Sequence, residues 1–296
     1  AAGAAIGRIT VSGETSATIQ ANAKVGSLAE VDSLTLSATA KDTLRADMFA
    51  VAGGIGAGAG NEATITYRAS TLASIADGVT IKSSGAVTVT VSATPSIRAD
   101  MFGVAAGGLA VAASVAEINY MPWLLATVAD ASIEAASMAV NATVNKTSVG
   151  DNFTTQATGS AGALVGVTAT QTELLIGDEV SGSDSRDMIV RAGIDSDSAI
   201  VLSGALAIDS FVAFTADMDS SAYAGGVVAA GASIARARAQ YRSEAYLGGS
   251  GAVTAASLTL GARSEVDLTV NATAGSGGVA AGAGLETITE INSSVQ

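Results

Sequence analysis

Two short segments carry the same ionic and aromatic residues at the same spacing. Arg45-Ala46-Asp47-Met48-Phe49 returns 53 residues later as Arg98-Ala99-Asp100-Met101-Phe102. A pair of carboxylates can do acid–base work on a polysaccharide, but only if both acids converge on one groove. Asp47 and Asp100 are instead related by translation, and Arg45 and Arg98 lie two residues before them on the same strand face. The expected arrangement is two ladders of opposite charge that neutralise each other sideways. Histidine and cysteine are both absent, which removes the common nucleophile triads, thiolate chemistry and the usual zinc sites. The residues point to no enzyme and no catalytic or cofactor-binding site. A glycan-active enzyme on a β-helix, a polysaccharide lyase or hydrolase, is the alternative.

Other residue groups have binding chemistry. The acids in 177–187, with Asp195 and Asp197, could supply a calcium ion with oxygens. Neither a nonapeptide calcium array nor an EF-hand spacing is present, so the expectation is a solvated acidic loop, no resident cofactor, and calcium as the one metal to consider. Arg236, Arg238 and Arg242 fall at even spacing with Gln240. One strand face would present them to an acidic glycan or a neighbouring filament, unless local acids such as Glu244 pair them first. Met121, Pro122, Trp123, Leu124 and Leu125 replace the polar turn at 68–72 and contain the only tryptophan. An apolar turn there fits a contact with another chain, or a cap over a gap in the core. Asn141, Asn145, Asn152, Asn271 and Asn292 open Asn-x-Ser/Thr triplets, which are read as strand composition.

The elements that must position these groups are repeats. Small-residue pairs at 53–54, 107–108, 161–162, 225–226 and 277–278 each open an Ala/Val/Gly run. A period of about 54 residues is the signature of an array. LTLSAT at 34–39 matches VTVSAT at 89–94, and MAVNAT at 138–143 continues the series. The approximate copies are 1–33, 34–88, 89–137, 138–187, 188–257 and 258–296. The stretch from about 185 to 225 breaks step, with Ser203-Gly204 as a displaced hub. The chain opens inside a copy, and 1–296 is read as a single array cut from a longer chain.

Composition sets the class. Apolar residues make up 49%, yet aromatics are only 4%, with 34 glycines and two prolines. Val-Thr alternation favours strands, and the glycine density would cost a helix about 1 kcal/mol per residue. Within 51–60, one alternation shows Val51, Gly53, Ile55, Ala57 and Ala59, while the other is nearly bare backbone that a second layer can approach closely. The expected fold is all-β, a right-handed parallel β-solenoid of about five repeats of ~54 residues. One wide turn per copy and several narrow turns remain open. A net charge of −13 argues against nucleic acid, and the longest apolar run, 103–116, is shorter than the ~20 residues of a membrane span.

An LTLSAT-like strand at 34–39, a Gly/Ala run at 53–60 and a DG turn leading into VTI at 77–81 together resemble the β-strand repeats of giant bacterial surface proteins. The group is the leukotoxin-type filamentous adhesins, similar to filamentous haemagglutinins. The resemblance implies a secreted or cell-surface location, a structural or adhesive role and no catalytic residues. Expected partners are other copies, end to end or side by side, and surface glycans or another cell. The stalk of a secreted toxin is a further alternative.

Overall fold

Val87, Val89, Val91 and Ala93 alternate in sequence with Thr88, Thr90 and Ser92. The apolar series is buried, at 0–3% exposure. A computed structural model describes residues 1–145, 150–177, 187–195 and 197–296. Its described residues are all-β, without a helix, and their strands pair in parallel.

The strands fall into successive passes of the chain. The first has β1 (Ala2–Val11), β2 (Glu14–Ile19) and β3 (Lys24–Val25). The second has β4 (Leu34–Tyr67), β5 (Ser70–Ile75) and β6 (Val79–Lys82). The third has β7 (Ala86–Tyr120), β8 (Trp123–Val128) and β9 (Ala131–Ala135). The fourth has β10 (Ser137–Val144), β11 (Phe153–Ile176), β12 (Met188–Ile194) and β13 (Ala199–Leu202). After these come β14 (Ala205–Gly225), β15 (Val228–Leu247) and β16 (Val253–Thr254), then β17 (Ser257–Gly277) and β18 (Ala280–Val295).

Each pass bonds to the same segment of the pass before it. β4 pairs with β7 from Leu34↔Val87 to Tyr67↔Tyr120, so one pass corresponds to one sequence copy. β10 and β11 are two pieces of a single pass, and both lie between β7 and β14.

The register corrects two sequence expectations. LTLSAT at 34–39 pairs with 87–92, not with 89–94. A slip of two residues keeps every side chain on its own face, so composition could not distinguish the registers. The shared Arg-Ala-Asp-Met-Phe segments decide it. Within the stretch expected to break step, 205–225 is regular, since β14 pairs with β17 without interruption from Ala205↔Ser257 to Gly225↔Gly277. The extra residues enter in the fourth pass, before β14. There eight residues separate Val144 from Phe153 where three separate Ala93 from Ile97, and twelve separate Ile176 from Ile189 where two separate Tyr120 from Trp123. Gly204 is a corner that donates to Ala136 O, not a hub.

The main core holds the large side chains. Tyr67, Tyr120, Phe153, Phe214 and Tyr241 form a chain of ring contacts with centroids 4.9–6.0 Å apart. Volume is conserved as the stack changes. Tyr120 gives way to Ile176 in the fourth pass, while Phe153 replaces Ile97 there. Tyr67 donates to Asp42 Oδ2 at 2.6 Å; burial first, then Asp42, raises its pKa above the tyrosine range.

Candidate functional site

The long strands bend sharply at the small-residue pairs. Burial alternates along β7, skips at Gly107–Gly108 and resumes in the opposite phase. The two arms of each strand then face one another through a second, separate core of alanines, including Ala50, Ala52, Ala57, Ala59, Ala105 and Ala110. The bend changes which row is inside. Ala57 and Ala59 face inward, while Gly56, Gly58 and Gly60 lie on the outer surface with open space above them. The expected bare row is therefore external, and alanine spaces the arms.

Close approach is visible in the hydrogen bonds between arms. Asn61 Nδ2 donates to Phe102 O at 2.7 Å and Ser114 Oγ lies 3.0 Å from Thr158 O across the arms, while along the stack Ser114 Oγ is 2.7 Å from Oδ1 of its register partner Asn61. One pass further, Ser220 Oγ meets Thr170 Oγ1 at 2.9 Å, and Ser233 Oγ donates to Ser220 O at 2.7 Å. Short side chains thus reach the opposite backbone, and each removes an orphan polar group from the alanine core.

The bends leave an apolar tip. Ile55 and Val279 are 92% and 90% exposed, and Leu109, Leu164 and Val227 are exposed beside them. Register links Gly56, Leu109, Val165, Val228 and Ala280 across the passes. Sequence reasoning missed this ridge, although the signal was the apolar residue directly after each pair. The strip is apolar and faces solvent.

On the outer face of the first arm, Arg45, Asp47 and Phe49 stand in register with Arg98, Asp100 and Phe102. Arg45 Nε lies 2.7 Å from Asp47 and its Nη2 4.0 Å from Asp100, and Arg98 pairs with Asp100. The hydrogen bond and charge of Asp47 push the Arg45 pKa up. The expected charge ladders are present. Phe49 and Phe102 stack with centroids 5.4 Å apart and planes 2° apart. In the next pass the ladder changes type, because Asp100 and Phe102 pair with Gln156 and Thr158. Where the aromatic column stops, a shallow groove of about 530 Å³ opens, lined by both phenylalanines, both aspartates, Gln156 and Thr158.

Acids continue the row without arginines. Asp217 and Asp219 occupy the next pass, and burial first, then Asp219 and Asp151, raises the Asp217 pKa. Asn271 Nδ2 donates to Asp219 Oδ1 at 3.1 Å.

The apolar turn divides between core and surface. Met121 and Leu124 are fully buried and Pro122 is buried, while Trp123 and Leu125 are half-buried on the outer face. Trp123 Nε1 donates to Asp187 O at 3.2 Å. Register places Trp123, Ile189 and Arg242 in one row, so the turn and the arginine strand share a face. Arg236 pairs with Glu286 at 3.2 Å, Arg238 with Glu290 at 3.2 Å, and Arg242 with Glu244 at 3.4 Å. The chain thus supplies its own acids to these cations.

Residues 178–186 of the calcium candidate lie outside the described residues, as does Ser196. Asp187 accepts from Gln240 Nε2 at 3.1 Å, and Asp195 accepts from Tyr246. Among the described residues no group of three or more acids is placed to hold a metal ion. Asn152 is fully buried, donating to Pro95 O at 2.9 Å and accepting from Thr215 N at 3.1 Å, so its role is structural. No helix among the described residues is long and apolar enough to cross a membrane. Comparison with protein-family models, curated proteins and solved structures finds no match to this chain.

Proposed function

We propose that the chain is a non-enzymatic structural and adhesive segment of a large extracellular repeat protein. In this reading the passes form a right-handed parallel β-solenoid of about five repeats of ~54 residues. It advances about 4.8 Å per repeat and belongs to a stiff surface fibre. The observation that carries the reading is the pairing of β4 with β7, in which Arg45, Asp47, Phe49 and Tyr67 each meet an identical residue. A chain that stacks its copies like on like is built to be long and uniform, and the pattern resembles filamentous adhesin repeats.

Two features support lateral association. The exposed tip ridge from Ile55 to Val279 gives apolar contact area. The shared face of Trp123 and Arg242 adds an aromatic beside charge. End-to-end joining uses the main-chain groups of the outermost passes. Electron microscopy of the native material tests the proposal, which expects long uniform fibres of constant width. Short particles without a repeating profile overturn it.

A further inference from the structure

The groove beside Phe102 opens to solvent where the aromatic column stops. We propose that it is a binding site for a neutral oligosaccharide. Its volume of about 530 Å³ falls within the roughly 300–1,000 Å³ of small-ligand sites.

Phe49 covers one face of Phe102, since the rings are parallel and 5.4 Å apart. The other face turns along the stack towards Thr158, its register partner. Thr158 is too small to cover a phenyl ring, and Phe102 remains 41% exposed. The face of an aromatic ring is electron-rich and receives weakly positive C–H groups. A sugar ring presents such groups on one face and hydroxyls around its edge.

The polar lining suits those hydroxyls. Asp47, Asp100 and Gln156 supply acceptors, and Gln156 and Thr158 supply donors. The arginines are already neutralised by Asp47 and Asp100, and the chain carries a net charge of −13. A sulfated or carboxylated glycan would meet no free cation in the groove and would be repelled by the protein as a whole. A neutral saccharide meets neither penalty.

This inference rests on the adhesive part of the proposed function and names a ligand class for it. The test is saturation-transfer NMR and calorimetry of the purified protein with neutral cello-, chito-, manno- and galacto-oligosaccharides, with heparin oligosaccharides as the anionic comparison. We expect at least one neutral series to bind. Phe102→Ala and Gln156→Ala should each weaken it about tenfold, the loss of one well-made contact. Val111→Ala, exposed on the other arm, should leave binding unchanged. Circular dichroism and electron microscopy of each variant separate loss of the site from loss of the stack. Absence of binding by every neutral series, unchanged affinity in folded Phe102→Ala, or preference for heparin overturns the inference. Uniform fibres without sugar binding would refute it while leaving the structural proposal standing.

Discussion

Replacing Gly107 by alanine tests how the bends are stacked. A Cβ at Gly107 would lie 1.7 Å from Gly54 O and 2.9 Å from Gly54 C, both backbone atoms of the pass below. The same clash recurs at Gly226, 1.9 Å from Ala163 O, and at Gly278, 2.1 Å from Gly226 O. No rotamer change relieves it, so the passes must separate by roughly 1.5 Å to restore ordinary contact. That movement lengthens neighbouring ladder bonds and loosens the alanine layer. We expect Gly107→Ala to cost about 3 kcal/mol, the upper end of the overpacking range. Gly58→Ala is the matched control, since nothing lies within 4 Å of its Cβ position. Through the unfolded chain it should be neutral or stabilising by about 0.5 kcal/mol. Urea unfolding at unchanged slope measures both. A Gly107→Ala variant within about 0.5 kcal/mol of the parent, or a Gly58→Ala variant equally damaged, refutes the stacked-bend reasoning.

The tyrosines predict alkaline sensitivity. Tyr67, Tyr120 and Tyr246 all have folded pKa values raised first by burial, so their contribution is complete below the unfolded value near ~10 and is lost as pH rises above it. Stability should fall from about pH 10 upward, and Tyr120→Phe should flatten that fall in urea midpoints measured across pH. Asp217→Asn should raise stability slightly at neutral pH, because its raised carboxyl pKa is relieved by proton uptake; the gain should vanish below about pH 4, and a gain that persists there contradicts the assignment. Trp123→Ser should weaken side-by-side association in sedimentation velocity while circular dichroism stays unchanged, and unchanged association removes that face from the proposed contact.

The fold class was legible because the alternation of Val and Thr in 87–92 and the scarcity of proline leave little besides strands. The charge ladders were legible too, since an exact repeat of Arg45 and Asp47 at one offset must stack if the copies do. Fine register was not. Side chains alternate with a period of two, so LTLSAT fits VTVSAT in either of two registers, and only the longer repeat selects Val87 as the partner of Leu34. The bend hid the interior in the same way. Alternation through 51–60 appears continuous in sequence, but the bend at Gly53–Gly54 reverses its phase and exposes Gly56, Gly58 and Gly60. The groove depends on a ladder ending, Phe102 above Thr158, and the inserted residues of the fourth pass obscured that alignment.

Because the chain has no cysteine, paired cysteines offer the most direct test of whether equivalent residues touch. Thr39 Oγ1 and Ser92 Oγ are 3.1 Å apart, as are Thr18 Oγ1 and Ser74 Oγ on another face. The doubly substituted Thr39→Cys/Ser92→Cys and Thr18→Cys/Ser74→Cys proteins should form intramolecular disulfides rapidly under mild oxidation, while Thr39→Cys/Thr94→Cys should lag far behind. Free thiols in both register pairs, or preferential linkage of 39 to 94, contradicts the stacking of copy on copy.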